Sequence, residues 1–192
     1  MGDTVSRAGY KFPDHAPRPV DDGAASHLPG IGLPPIGLKA TTGETVRLDR
    51  LIGRTIVFVY VRSRLPGQTA LFDYWDTIPG ATGCTVESCG FRDLYLDFIR
   101  AGARIFGLSA ESPSHQKQAS ARLNLPFPLL SDERFDFAMP MRLPMLDVNE
   151  YTFLKRLTFV AKDGVIERVF YPVFPPDTHA DEVLAWLRTQ KR

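Results

Sequence analysis

The strongest constraint on the fold is a continuous run of β-branched and aromatic residues, Thr55–Val61. Such a run is typical of a central strand that is buried on both faces of a sheet. It is followed by a helical pattern over Thr85–Ala101, which Gly102 ends, and by a second strand pattern over Arg104–Ser109. Neighbouring strands joined through a helix are parallel and need a right-handed crossover. The sequence therefore predicts an α/β fold with a parallel core.

Weaker patterns complete the predicted order of elements. A Ser-Pro pair opens a further helix after the second strand, and an Asp-Gly pair marks a hairpin near the C-terminus. The predicted elements are a hairpin over Ile36–Leu48, a helix from Ser112 to Asn124, a strand over Phe127–Asp132, a short helix over Glu133–Ala138, a loop over Met139–Glu150, a hairpin of Leu157–Ala161 and Val165–Tyr171, and a helix over Ala180–Thr189. This order predicts a three-layer sandwich in which helices flank a mixed central sheet.

The length of 192 residues fits one domain with some decoration. Residues 1–28 are polar, rich in Pro, Asp and Gly, and aperiodic, so we interpret them as a flexible or draped N-terminal extension. The folded domain is predicted over residues 29–192. The long connection Arg62–Gly83 contains three glycines and two prolines, but its aromatic residues argue against disorder and predict packing beside the cysteines.

Charge and composition limit the classes of possible partners. The formal net charge is +1 with no basic run, which gives no support to nucleic acid or an anionic membrane as a partner. No stretch approaches the ~20 apolar residues of a membrane helix, and Met1–Val20 lacks the apolar core of a secretory signal. Two cysteines are too few for a disulfide-stapled secreted scaffold. We therefore predict a cytoplasmic protein whose thiols stay reduced.

The two cysteines, Cys84 and Cys89, are the main chemical signal. Cys84 stands where a glycine-rich loop is predicted to become a helix. Unpaired backbone N–H groups and the positive end of the helix dipole favour a thiolate there. A thiolate attacks an electrophile such as a peroxide oxygen, and a second thiol can trap the oxidised sulfur as a disulfide. The segment therefore predicts a redox centre rather than a zinc site, which wants about four ligands. The histidines are predicted at the surface: His15, His27, His115 and His179.

Four separate segments carry a resemblance to a known family: Gly83–Asp93, Gly107–Pro113, Leu125–Asp132 and Arg156–Val160. In this order they are similar to the peroxiredoxins, specifically the Q-type group, also called bacterioferritin-comigratory-protein-like, of the alkyl hydroperoxide reductase/thiol-specific antioxidant family. The likeness covers roughly residues 30–190. It implies a thioredoxin-like fold and a cysteine peroxidase that needs no cofactor, neither metal nor haem.

The resemblance also implies roles for individual residues. Cys84 matches the peroxidatic cysteine and Cys89 the resolving cysteine. Arg156 matches the arginine that steadies the thiolate and the bound peroxide. Thr82 and Pro79 stand in for the threonine and proline of the family's active loop.

The spacing of this loop departs from the family pattern of Pro, three residues, Thr, two residues, Cys. Here the proline stands five residues before the cysteine and the threonine two. Thr77 or Thr85 could therefore supply the hydroxyl instead. From the residues alone, Arg156 could also be an ordinary strand-end partner in an ion pair, and Glu87 and Arg92 are predicted to form a local polar cluster.

The function implied by the resemblance is reduction of hydrogen peroxide and organic hydroperoxides, through a Cys84 sulfenic acid and an intramolecular Cys84–Cys89 disulfide. Thioredoxin or a similar dithiol protein would reduce this disulfide, and the enzyme would be a monomer or a homodimer. Two alternatives use the same cysteine pair. One is a non-catalytic redox sensor, and the other is a thiol–disulfide oxidoreductase, whose usual two-residue cysteine spacing is absent.

Helix geometry adds a conformational expectation. Residues five apart on an intact α-helix have Cα atoms ~8.6 Å apart, whereas a disulfide rarely spans more than ~7 Å between Cα atoms. We therefore expect the reduced form to be helical over Thr85–Cys89 and the oxidised form to lose this helix. Gly83 and Gly90 would ease the rearrangement.

Overall fold

In the computed structural model, which describes residues 12–65 and 68–190, most of the run Thr55–Val61 lies in an interior strand of a seven-stranded sheet. The strands are β1 Gly37–Ala40, β2 Thr45–Arg47, β3 Arg54–Val59, β4 Ala103–Ser109, β5 Leu129–Ser131, β6 Met145–Val148, β7 Tyr151–Leu154, β8 Leu157–Lys162 and β9 Val165–Phe170. The sheet order is β2-β1-β5-β4-β3-β8-β9, and β6 and β7 form a separate hairpin. Strands β3, β4 and β5 are parallel, while the other neighbours are antiparallel.

Helices pack against this sheet. They are α1 Cys84–Asp93, α2 Tyr95–Arg100, α3 Pro113–Leu123, α4 Ala138–Met141 and α5 His179–Thr189. The predicted mixed sheet flanked by helices is confirmed. None of the helices in the described ranges combines the length and the apolar character needed to span a bilayer.

β3 is buried on both faces because its side chains alternate between two apolar clusters. Phe58 lies in the cluster that contains α1, α2 and α5, and its ring stacks on Phe91 with centroids 4.5 Å apart. Val57 lies in the opposite cluster together with Phe137, which precedes α4. The carboxyl end of β3 therefore emerges between two packed layers, at a fixed place on the edge of the sheet.

The prediction of one helix over Thr85–Ala101 is wrong in its middle, since the chain forms α1 and α2. Leu94 leaves the helical conformation, with φ −98° and ψ 8° between the two helices. The break brings the rings of Phe91 and Phe98 to a centroid distance of 5.6 Å. On a straight helix, residues seven apart are separated by ~10.5 Å along the axis, so the break lets both rings enter one compact core.

The short helix predicted over Glu133–Ala138 is also wrong, because α4 begins only at Ala138. The reason is Asp132, whose carboxylate accepts the N–H groups of Phe137 at 2.9 Å and Ala138 at 2.8 Å. These bonds stabilise a turn before the helix, in which Phe135 has a φ of 59°. A carboxylate at this point satisfies helix-start donors that would otherwise be unpaired.

The loop predicted over Met139–Glu150 contains the strand β6. It pairs with β7 through the register Val148–Tyr151, so that two residues form the turn. Asn149 in this turn has a φ of 51°, a conformation that asparagine tolerates better than most residues. The prediction of irregular structure over this range is wrong because β6 has only four residues and directly follows Pro144, which leaves little periodicity in the sequence.

Residues 12–28, which we call the N-terminal strap, lie against the domain and have no helix or strand of their own. Phe12 is buried and packs edge-on against Phe174, with centroids 5.8 Å apart. Asp22 accepts a 2.7 Å hydrogen bond from Lys155, which lowers the pKa of its carboxyl. The strap is thus attached at Phe12 and at Asp22, next to the loop that leads to Cys84.

The first prediction concerns this attachment. Phe12→Ala removes the buried ring at one end of the strap, so hydrogen exchange of amides in residues 12–28 should become about tenfold faster through easier local opening. His15→Ala is the matched control because its side chain is exposed on the same segment. Equal exchange in Phe12→Ala and the parent, measured by mass spectrometry, would contradict the attachment.

Candidate active site

Cys84 is the first residue of α1, and its sulfur lies just beyond the carboxyl end of β3. Gly83 precedes the helix with a φ of 97°, in the left-handed region that glycine adopts without strain. A Cβ at Gly83 would lie 2.4 Å from Pro176 Cγ and 3.0 Å from the ring of Phe12. The position therefore needs glycine both for its conformation and for space, and this glycine sets the direction in which Cys84 enters the site.

Among the residues that the structure describes, two N–H donors point at the Cys84 sulfur. The backbone N–H of Arg62 donates to Sγ at an N–S distance of 3.5 Å, and Nη2 of Arg156 does so at 3.1 Å. Cys84 is only 4% exposed. Both donors are therefore placed to hydrogen-bond negative charge on the sulfur, which a thiolate carries and a thiol does not.

Arg156 lies in the two-residue connection between β7 and β8 and is 4% exposed. Besides the sulfur, Nη2 donates to the carbonyls of Thr82 at 2.8 Å and Gly80 at 3.4 Å, and Nη1 pairs with the carboxylate of Glu87. Burial by itself would lower the pKa of Arg156, but the charges of Cys84 and Glu87 more than offset it and raise that pKa. The guanidinium therefore stays charged beside the sulfur.

Glu87 was missed as a site residue, and the predicted Glu87–Arg92 cluster is wrong. Glu87 is fully buried and pairs with Arg156, whereas Arg92 bonds Asp93 at 2.8 Å and the carbonyl of Leu123 at 2.9 Å. The available signal was position, because residues three apart on a helix share a face and Glu87 follows Cys84 by three. Burial raises the pKa of Glu87, and the charge of Arg156 opposes this rise.

The predicted surface position of His179 is also wrong. It is 2% exposed at the start of α5, and its Nε2 lies 2.8 Å from the hydroxyl of Thr158. The ring packs edge-on to Phe91 and Phe170. The other ring nitrogen, Nδ1, lies 3.1 Å from Glu182 Oε2. Because both nitrogens have polar partners, the ring can be buried.

The predicted loop residues lie close to the site in different ways. Thr82 offers its carbonyl to Arg156, and within the described residues its hydroxyl makes no hydrogen bond. Thr77 is exposed and donates its hydroxyl to the carbonyl of Tyr74 within its own turn. Pro79 is exposed and lines, with Arg156, a largely apolar cavity of about 220 Å³.

The long connection after β3 packs beside the cysteine, as predicted. Trp75 is buried in the same apolar cluster as Cys84, and its ring lies edge-on to Phe153 of β7, with centroids 5.3 Å apart. The hairpin β6–β7, which the sequence analysis missed, therefore supports the loop that leads to the site.

Cys89 lies on α1 with its side chain buried, and no disulfide joins it to Cys84 in the described part of the chain. The helix runs unbroken from Cys84 through Cys89, as expected for a reduced form. Burial raises the pKa of the Cys89 thiol. Within residues 12–65 and 68–190, no group of three or more His, Cys, Asp or Glu side chains is arranged to hold a metal ion.

Comparison with known proteins agrees with this geometry. The model of the AhpC/TSA family matches residues 29–169. The chain is 33% identical over 168 residues to peroxiredoxin Q, chloroplastic, of Sedum lineare, covering 84% of this chain and 78% of that protein. It is 32% identical over 166 residues to the protein of the same name from Populus jackii, covering 83% and 68%.

Solved structures give the same result. Peroxidoxin BcpB from Mycobacterium tuberculosis superposes with a TM-score of 0.69 at 27% identity, covering 86% of this chain and 99% of that one. Peroxiredoxin Q of Xanthomonas campestris, with a TM-score of 0.66 at 23% identity over 83% and 96% of the chains, shares the fold. The chain therefore belongs to the AhpC/TSA family and is a Q-type peroxiredoxin, a thiol-dependent peroxidase.

Proposed function

We propose that Cys84 performs the peroxidase reaction, and the observation that carries this is the 3.1 Å contact of its sulfur with the buried guanidinium of Arg156. The Cys84 thiolate attacks the terminal oxygen of a hydroperoxide and forms an S–O bond as the O–O bond breaks. The sulfur is oxidised to a sulfenic acid, and the hydroxide or alkoxide leaves, takes up a proton and becomes water or an alcohol.

The two N–H donors give this step its electrostatic support. Arg62 and Arg156 favour the thiolate before attack, and the planar guanidinium can bond sulfur and a peroxide oxygen at once. Since carbonyls and a carboxylate already orient Arg156, little reorganisation is needed when charge moves to the leaving oxygen.

Thr82 and Pro79 complete the proposed site. The Thr82 hydroxyl is unengaged within the described residues and half-buried, which leaves it available to a peroxide oxygen; Thr85 is the alternative. Pro79 lines the cavity of about 220 Å³ beside Arg156, where the organic part of a hydroperoxide would lie.

Cys89 is proposed to complete the cycle. Its thiol condenses with the Cys84 sulfenic acid to give a disulfide and water. The intact helix between them keeps the sulfurs apart, so the first turns of α1 must open. Thioredoxin or a similar dithiol protein then reduces the disulfide by exchange and is itself oxidised.

The setting of this cycle is also a proposal. Two cysteines are too few for a disulfide-stapled secreted scaffold, so we propose the cytoplasm, although the plant relatives are named as chloroplastic. We propose a monomer or a homodimer, with no nucleic-acid or membrane partner, as the near-neutral charge favours.

The second prediction tests the cysteine roles. Cys84→Ser should abolish peroxide consumption, because no thiolate remains to attack. Cys89→Ser should form one sulfenic acid per chain, trapped by dimedone, but lose turnover with thioredoxin. Peroxide consumption with excess thioredoxin is the measurement. A redox sensor would instead show one round of oxidation in the parent, without sustained consumption.

The third prediction concerns the guanidinium. Arg156→Lys keeps a positive charge but loses the fork that bonds sulfur, carbonyls and Glu87 together, so Cys84 oxidation should slow about 10²-fold. Arg54→Lys is the matched control, since Arg54 pairs with Glu167 at the opposite end of β3. Quenched-flow oxidation by hydrogen peroxide should leave this control within about twofold of the parent. A parent-like rate in Arg156→Lys would remove Arg156 from the mechanism.

The fourth prediction follows from the raised pKa of buried Cys89. The folded state retains this proton to a higher pH than the unfolded state, whose thiol titrates near ~8.5. The folded state therefore binds more protons above that pH, and the free energy of unfolding must fall as pH rises, by at most ~1.4 kcal/mol per pH unit.

The comparison is between Cys84→Ser and the double variant Cys84→Ser/Cys89→Ala in urea unfolding from pH 7 to 10. The single variant should lose stability more steeply with pH because only it retains the buried thiol. Parallel pH profiles for the two proteins would contradict the burial of Cys89.

A further inference from the structure

The Arg62 N–H that reaches the Cys84 sulfur lies outside the sheet. The last bond from β3's extension into the ladder is from Tyr60 N to the carbonyl of Leu108, at 3.0 Å. Beyond it the chain turns into the long connection, where a backbone N–H has no strand to fix its direction. Something else must orient the peptide that donates to the sulfur at 3.5 Å.

Ser63, the next residue, has a hydrogen-bond partner at its N–H, its hydroxyl and its carbonyl. Its N–H donates to Glu111 Oε1 at 3.0 Å, and its hydroxyl donates to Oε2 at 2.9 Å. His115 Nε2 lies 3.0 Å from the Ser63 carbonyl and 2.9 Å from Glu111 Oε1. Both of those atoms are acceptors, so Nε2 carries the hydrogen. We call Glu111 and His115 the Ser63 clamp.

The residues of the clamp are themselves held in place by burial and hydrogen bonds. The Glu111 side chain is 7% exposed, its N–H donates to Ser109 Oγ at 3.2 Å, and its carbonyl accepts from Ser131 Oγ at 2.6 Å. His115 is in the first turn of α3, whose N-cap is Ser112. The end of β3 is thereby joined to the ends of β4 and β5 by side chains, where the backbone ladder has stopped.

We propose that Glu111 and His115 are positioning residues for the reaction at Cys84, an inference that rests on the proposed function. The clamp fixes Ser63, and Ser63 fixes the preceding peptide, whose N–H is one of two donors to the sulfur. Without the clamp, Arg62 N–H is free to turn towards water, and of the two donors in the described part of the chain the thiolate keeps the one from Arg156. Neither clamp residue touches the substrate.

The test measures Cys84 oxidation by hydrogen peroxide in the Cys89→Ser background, by quenched flow with trapping of the sulfenic acid. Glu111→Ala should slow this step about tenfold, the size expected for one hydrogen bond to a charged group. Glu111→Gln should remain within about threefold of the parent, because the amide oxygen still accepts the Ser63 N–H. If oxidation in Glu111→Gln were as slow as in Glu111→Ala, the negative charge of Glu111 rather than its hydrogen-bond geometry would be responsible. That result would overturn the positioning role.

Two further variants separate positioning from stability. His115→Ala removes the bond to the Ser63 carbonyl and should slow oxidation severalfold while leaving Glu111 in place. Asp132→Ala is the control, because Asp132 is also a largely buried carboxylate and its side chain accepts two N–H groups of the α4 turn rather than those of Ser63. It should lower the melting temperature without slowing oxidation.

Parent-like oxidation in both Glu111→Ala and His115→Ala would overturn the inference, and so would equal slowing in Asp132→Ala. A parent that hydrogen peroxide does not oxidise would instead refute the proposed function, so the two failures are distinguishable.

Discussion

The site depends on one desolvated cation, the guanidinium of Arg156. An unpaired charge at 4% exposure would cost several kcal/mol, so it must be surrounded by acceptors. Those acceptors are the Cys84 sulfur, the Glu87 carboxylate and the carbonyls of Gly80 and Thr82. They come from the loop and from α1, whereas Arg156 itself lies in the connection into β8, so satisfying this cation also fixes three segments relative to one another. The contacts that preorganise the site for peroxide chemistry are therefore the same contacts that hold these segments together.

This arrangement places opposing demands on α1. The helix must be ordered to present Cys84, yet it must open for the two sulfurs to meet. Glu87 lies between the cysteines, so opening the first turns separates the carboxylate from the guanidinium unless both move together. Further along, Phe91 is stacked on Phe58 of β3 at 4.5 Å. We expect this stack to anchor the second half of α1, which confines the opening to the residues that carry the chemistry.

Local signals in the sequence predicted most of the fold. The Asp-Gly turn at Asp163 and Gly164 has φ values of 52° and 80°, the pair of positive angles that such a hairpin requires. The Ser112 hydroxyl caps α3 at the N–H of His115, at 3.4 Å. The errors lie where tertiary contacts decide. The break at Leu94 interrupts no pattern in the sequence, because what favours it is the meeting of two rings in the core rather than any local preference.

The candidate site shows the same division between local sequence signals and tertiary contacts more clearly. The cysteine pair can be recognised from its spacing in the sequence. The role of Arg156 can be predicted only from the family resemblance, because its partner Glu87 is 69 residues away in the chain. Ser63 and Glu111 are 48 residues apart, yet both follow strands that are parallel neighbours, β3 and β4. Parallel neighbours end at the same edge of a sheet, so polar residues just after such strands converge there. Once strand order is known, this rule brings the sulfur, its donors and the clamp to one edge, which residue spacing alone does not specify.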